Sequence, residues 1–200
     1  QPSTPPSTLA DAFQGADKDI PVFVPQGKVE AYWAESGWED FNNYYEMPIA
    51  DAAIDGVWYQ FDLMAGTATV IKDLNVNNHY NGEIVIPQQV KHFGIDFAVT
   101  AIKASAFGYC DELTSITLPE GFKTIGDDAF FDCLSLKKID IPASVTSIGI
   151  RAFAVCREMT AINVPSENTA FCSYDGVLYD KAMTTLICCS GGKEGASEVV

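Results

Sequence analysis

The chain has 200 residues, 48% hydrophobic and 20% charged, which is enough apolar side chain for a buried core and excludes wholesale disorder. With 27 acidic residues against 12 basic ones its formal net charge is −15, a field that repels phosphate backbones and anionic headgroups and argues against nucleic acid as a partner. No run of 18 or more apolar residues could cross a bilayer as a helix, and no basic stretch followed by an apolar one has the pattern of an export signal.

Residues 1–8, QPSTPPST, are rich in Pro and Ser and read as a flexible lead-in. Residues 9–46 read as a worn terminal unit of a repeat array, with Ala12-Phe13 leading to the strand-like Val22-Phe23-Val24-Pro25. Val29, Tyr32 and Trp33 then fall at helical spacing, Gly37 breaks the run, and Trp38 and Phe41 follow. This predicts an N-terminal helical cap over the end of that array, with an aromatic platform for a sugar or peptide as the functional alternative. Residues 47–55 form a junction, and repeat-like sequence runs over 56–200. It opens with a hairpin over 56–73, where GVWYQFDL and TATVIKD alternate β-branched and aromatic residues around Met64-Ala65-Gly66. An Asn-rich loop at 75–81 comes next.

Residues 82–165 are written in a repeating hand. The copies VTAIKASAFGYCDELTSITLPEGF, KTIGDDAFFDCLSLKKIDIPASV and TSIGIRAFAVCREMTAINVPS superimpose on a period of 23 residues. Ile102, Ile125 and Ile148 share one position; Phe107, Phe130 and Phe153 another; Cys110, Cys133 and Cys156 a third; Pro119, Pro142 and Pro165 a fourth. Ile84, Ile86 and Pro87 use the same strand grammar ahead of them. In Leu113-x-x-Ile116-x-Leu118-Pro119 the alternation marks a short strand that Pro ends, and the Ala-Phe-x-x-Cys segment predicts a single helical turn on the opposite side. No single copy can bury its own apolar side chains, so the predicted fold is a β-rich solenoid of leucine-rich-repeat type. A second hairpin over 173–189 repeats the opening of the first, DGVLY against DGVWY.

The wording TSIG..AF..C..L..I..P resembles the BspA-like, or treponemal-type, leucine-rich repeats of bacterial surface proteins. The resemblance implies export, a place outside the cell or on its surface, and adhesion to a host or bacterial partner. It also implies that residues 9–46 close a preceding array and that the hairpin at 56–73 opens a new one, over 56–200. One departure is Lys103, which stands where the other copies have Gly126 and Gly149; it tells against a strict need for positive φ at that turn.

No catalytic constellation is present in the sequence. His79 and His92 have no His-x-x-x-His pairing, and no Gly-x-Ser-x-Gly elbow occurs. Asp111-Glu112 and Asp127-Asp128 sit in turns, where carboxylates commonly bend the chain. The three in-register cysteines read as buried thiols, with disulfides or a metal site as alternatives, since their spacing supplies no Cys-x-x-Cys ligand pair. Cys172 could approach Cys188 or Cys189 across the last hairpin. The expectation is therefore a protein that is not an enzyme, with no cofactor and no metal. It would be a monomer or part of a longer chain that binds a protein or glycan. The candidate binding face is made by the outward strand positions Ser115, Thr117, Lys138, Asp140, Ala161 and Asn163, with Glu83 and Val85 ahead of them. A structural spacer is the alternative, and a polysaccharide-acting hydrolase a more distant one.

Overall fold

A computed structural model describes residues 15–35, 37–47, 51–75 and 80–188. The expected lead-in, Ala12-Phe13, His79 and Cys189 lie outside the described residues. The chain divides into two compact units, Gln1–Ala50 with Lys91–Ile95, and Asp51–Val90 with Asp96–Val200.

In the first unit β1 (Pro21–Pro25) and β2 (Asn43–Met47) pair in parallel, joined through the five-residue helix α1 (Val29–Trp33). Such a helix is too short to persist by itself. Tyr32 anchors it, buried with Val22, Val24 and Phe41, its ring edge-on to Trp38 at 5.3 Å. Helical spacing in the sequence therefore corresponds to little more than one turn, and Gly37–Asp40 form turns. The strand at 43–47 carried no clear sequence signal.

The second unit begins with the antiparallel strands β3 (Ala52–Ile54), β4 (Val57–Asp62) and β5 (Thr67–Val70). Asp55 and Gly56, both at positive φ (50° and 82°), make the tight turn between β3 and β4 that suits strand twist. Then come β6 (Gly82–Val85), β7 (Gln89–His92), β8 (Ile95–Ile102), β9 (Leu113–Thr117) and β10 (Thr124–Ile125). The copies close with β11 (Lys138–Asp140), β12 (Ser147–Ile148) and β13 (Ala161–Asn163). They form two ladders, β13-β11-β9-β6 and β12-β10-β8-β5-β4-β3.

Within the copies every pairing is parallel and offset by one repeat: Ile125 lies between Ile102 and Ile148, and Ile139 between Ile116 and Ile162. Each inward side chain thus rests on its own counterpart. Phe107, Phe130 and Phe153 stack with their rings almost parallel, centroids 5.1 and 5.4 Å apart, and Tyr80 closes the column 4.7 Å from Phe107. The buried Tyr80 hydroxyl donates to Ile71 O and accepts from Trp58 N, so its burial leaves no polar group stranded.

On the turn side the expected single helical turn is replaced by another arrangement. A helix returns each N–H to its own chain four residues back. Here alternate N–H groups go sideways: Ser105, Phe107 and Tyr109 donate to Asp127, Ala129 and Phe131 O, and Asp128, Phe130 and Asp132 donate to Ile150, Ala152 and Ala154 O. Ser105, Tyr109, Asp128, Asp132, Arg151 and Val155 all take positive φ, which reverses the chain in steps and keeps those donors pointed at the next copy. The turn side is a third hydrogen-bonded contact between copies, and α1 is the only helix among the described residues.

The glycine column has a steric cause. A Cβ on Gly126 would stand 2.5 Å from Ala104 N, and one on Gly149 would collide with Asp127 and Gly126 of the copy before it. Neither glycine has positive φ. Lys103 follows β8, whose neighbour β5 has no such turn, and its side chain instead reaches Gln60 Oε1 at 3.0 Å.

After the third copy Asn168 takes the position of Phe122 and Val145 and is 1% exposed. Its amide nitrogen donates to Pro142 and Val145 O, and its oxygen accepts from Ala170 and Phe171 N. All its hydrogen-bonding capacity serves to bend the chain into β14 (Phe171–Tyr174), β15 (Val177–Asp180) and β16 (Leu186–Cys188). The Asp175-Gly176 turn there repeats that at Asp55-Gly56.

Candidate functional site

Because a strand alternates its side chains, burying Ile116 with Leu118 and Ile139 with Ile141 forces the residues flanking each isoleucine outward, and an irregularity between Leu113 and Ser115 lets Leu113 point inward as well. The sheet β13-β11-β9-β6 accordingly carries two outward rows. Glu83, Ser115, Lys138 and Ala161 form one, and Val85, Thr117, Asp140 and Asn163 the other, as the register Glu83 to Ser115, Val85 to Thr117, Lys138 to Ala161 and Asp140 to Asn163 requires. All six sequence-derived residues of the candidate face thus lie on one face of one sheet.

Lys138, Asp140, Asn163 and Thr117 are exposed, whereas Ser115 and Ala161 are half-buried. Asn163 Nδ2 donates to Asp140 Oδ1 at 2.7 Å across the ladder, and Lys138 Nζ stands 3.9 Å from Asp140 Oδ2. Asp140 is the hub of this small polar group, and Val85, 70% exposed, leaves an apolar corner on the edge strand beyond Thr117. The surface presents a cation, a carboxylate, an amide and hydroxyls side by side, which suits reversible contact with a polar partner.

The buried thiols do other work. Cys110, Cys133 and Cys156 are at most 2% exposed, and the last two donate to Phe107 and Phe130 O at 3.0 and 3.1 Å. Burial pushes the Cys110 thiol up to about 11. Hydrogen bonding with Cys156, then burial, holds Cys133 well above the ordinary thiol range. No disulfide joins these residues. Cys172 and Cys188 lie on β14 and β16 with β15 between them, a separation of about 10 Å across two strand spacings. A disulfide spans about 7 Å between Cα atoms at most, so the approach of Cys172 to Cys188 is not realised. Cys172 instead donates to Asp180 O at 3.2 Å.

The turn carboxylates bind copies together. Asp127 Oδ1 accepts from Ile150 N at 2.8 Å, and Asp128 pairs with Arg151 at 2.9 Å. Arg151 lies over the Phe131 ring, which meets the exposed Tyr109 edge-on at 5.4 Å. Sequence reading missed this cluster because its three members occupy three different positions of the repeat. His92 is drawn below its ordinary pKa by burial. Among the described residues no group of three or more His, Cys, Asp or Glu could hold a metal. Asp55, Asp73 and Glu83 do line a cleft of about 250 Å³ beside Tyr80 and Asn81. No helix among the described residues is long and apolar enough to cross a membrane.

No curated protein matches the chain. Similar solved structures include a leucine rich cell surface protein of Faecalibacterium prausnitzii A2-165, 19% identical over 71% of this chain and 62% of that one, with a TM-score of 0.33. Others are a leucine-rich repeat protein of Bacteroides capillosus, 22% identical over 59% of this chain and all of that one (TM-score 0.45), and one of T. pallidum, 19% identical over 56% and 71% (TM-score 0.36). The chain spans 62% of the length of the Faecalibacterium protein. A family model described as a BspA type leucine rich repeat region, in 6 copies, matches residues 83–190, more than half of the 200 residues. By that match, and by copies that stack in a 23-residue register, the chain belongs to the BspA-type leucine-rich repeat family.

Proposed function

We propose that this chain is a non-catalytic binding module of an exported or surface-attached bacterial protein, a solenoid that recognises a protein or glycan through the outward face of β13-β11-β9-β6. The observation that carries this reading is the pair of in-register rows, which set Lys138, Asp140 and Asn163 in one hydrogen-bonded group on a surface no core packing requires. A broad strand face without a deep cleft suits reversible binding. In this reading residues 9–46 are the end of one array with its cap, residues 47–55 a junction, and residues 56–200 a second array. Family membership supports the place at the cell surface. Affinity should fall about tenfold or more when Lys138, Asp140 and Asn163 are replaced together by Ala, while the melting temperature holds. A glycan array and a panel of matrix proteins, each run with both versions at micromolar concentration, measure this. If both are blank for the unaltered chain, the spacer reading takes its place.

The hydrolase reading draws only on the cleft of Asp55, Asp73 and Glu83. Cleavage of a polysaccharide that disappears in Asp55→Asn or Glu83→Gln would establish it.

A further inference from the structure

Trp33 is the anomaly of the first unit. Its neighbour Tyr32 is buried, yet Trp33 is 56% exposed at the end of α1, a large apolar ring left in water beside a core that has room for aromatic residues. It lines a cleft of about 490 Å³ together with Glu30, Ala34 and Glu39. Tyr44 stands edge-on to the indole at 6.5 Å and 71°, its own hydroxyl donated to Trp38 O, so the indole rests against a fixed neighbour. Burial, and then the charge of Glu39, hold the Tyr44 hydroxyl above its ordinary pKa, so the Glu39 carboxylate acts on the ring beside the indole, and Glu39 itself lines the cleft. Neither Glu30 nor Glu39 has a hydrogen bond or ion pair from its carboxylate among the described residues. No basic side chain lines the cleft.

An indole face offers its negative quadrupole to a cation, and the two carboxylates that line the same cleft add attraction of the same sign. A neutral sugar would use the ring but would leave both carboxylates without a charged partner. A net charge of −15 attracts basic partners over a distance before contact.

We propose that the cleft formed by Glu30, Trp33 and Glu39 binds a protonated alkylammonium group, as presented by an exposed lysine side chain of a partner protein. The site is separate from the strand face of the second unit and stands or falls without it.

The full chain is labelled with 15N, and the Trp33 indole resonance is identified by its loss in Trp33→Phe. An acetylated, amidated Gly-Lys-Gly peptide is then titrated at low salt, beside the same peptide with acetyl-lysine and a neutral maltooligosaccharide. The lysine peptide should shift the Trp33 indole in a saturable way, while Trp58 stays still. Glu30→Gln with Glu39→Gln should weaken it about fivefold, as should Trp33→Ala read through the Tyr44 ring signals. Both variants should keep the original melting temperature, because neither removes a buried side chain. An equal response to acetyl-lysine, a response only to the sugar, an unmoved Trp33 indole, or an unchanged affinity in the carboxylate double variant would overturn the proposal.

Discussion

At the scale of single residues, the glycine column and Asn168 show how copies are held at contact distance. Gly126 and Gly149 are small because the neighbouring backbone leaves no room for a methyl group. Gly149→Ala should therefore cost about 1–3 kcal/mol, the usual cost of forcing extra volume into a packed site. Lys103→Gly should cost under about 1 kcal/mol, from backbone freedom and the lost contact with Gln60. Urea denaturation of both variants tests the point, and a Gly149→Ala midpoint equal to that of the unaltered protein would contradict it. The sequence showed that Lys replaces Gly and correctly spoke against a positive φ. What it could not show was the steric reason, because a clash between residues 22 or 23 apart exists only after the copies stack. Asn168 was illegible for a similar cause: a polar residue in an apolar column makes sense only once its four backbone partners are in place.

Between elements, the strands were readable and the turns were not. Alternation of Ile116 and Leu118 fixes which side chains go inward, and period 23 fixes which strands pair. The Ala-Phe-x-x-Cys segment instead has an i, i+1, i+4 spacing that a short helix shares with a chain of reversed turns. Sideways hydrogen bonds to the next copy decide between them, and those belong to the stack. The same stack shelters the thiols. Cys110, Cys133 and Cys156 should be inert to a thiol reagent at pH 8 in the native protein and should all react once it is unfolded without reductant. Cys110, pushed up to about 11, holds almost no thiolate at that pH, and the other two are as deeply buried. Counting modified cysteines by mass spectrometry checks this, and native-state labelling of any of the three would contradict it.

Over the whole molecule, each strand of the copies divides its side chains between two faces. Inward residues hold one copy on the next, and outward residues carry no such packing duty, which is how a repeat fold can vary its surface without losing its shape. The face was legible in advance because strand alternation assigns it. Asp140 as the hub of a cross-ladder group was not, since it depends on side-chain reach. The most direct measurement compares denaturation midpoints for two variants of the full chain. Phe130→Ala opens a cavity in the stacked column and should cost about 3–5 kcal/mol. The triple replacement of Lys138, Asp140 and Asn163 by Ala removes only exposed contacts and should change stability by under about 1 kcal/mol. If the triple variant were destabilised as much as Phe130→Ala, the outward rows would be part of the scaffold and could not be the free recognition face.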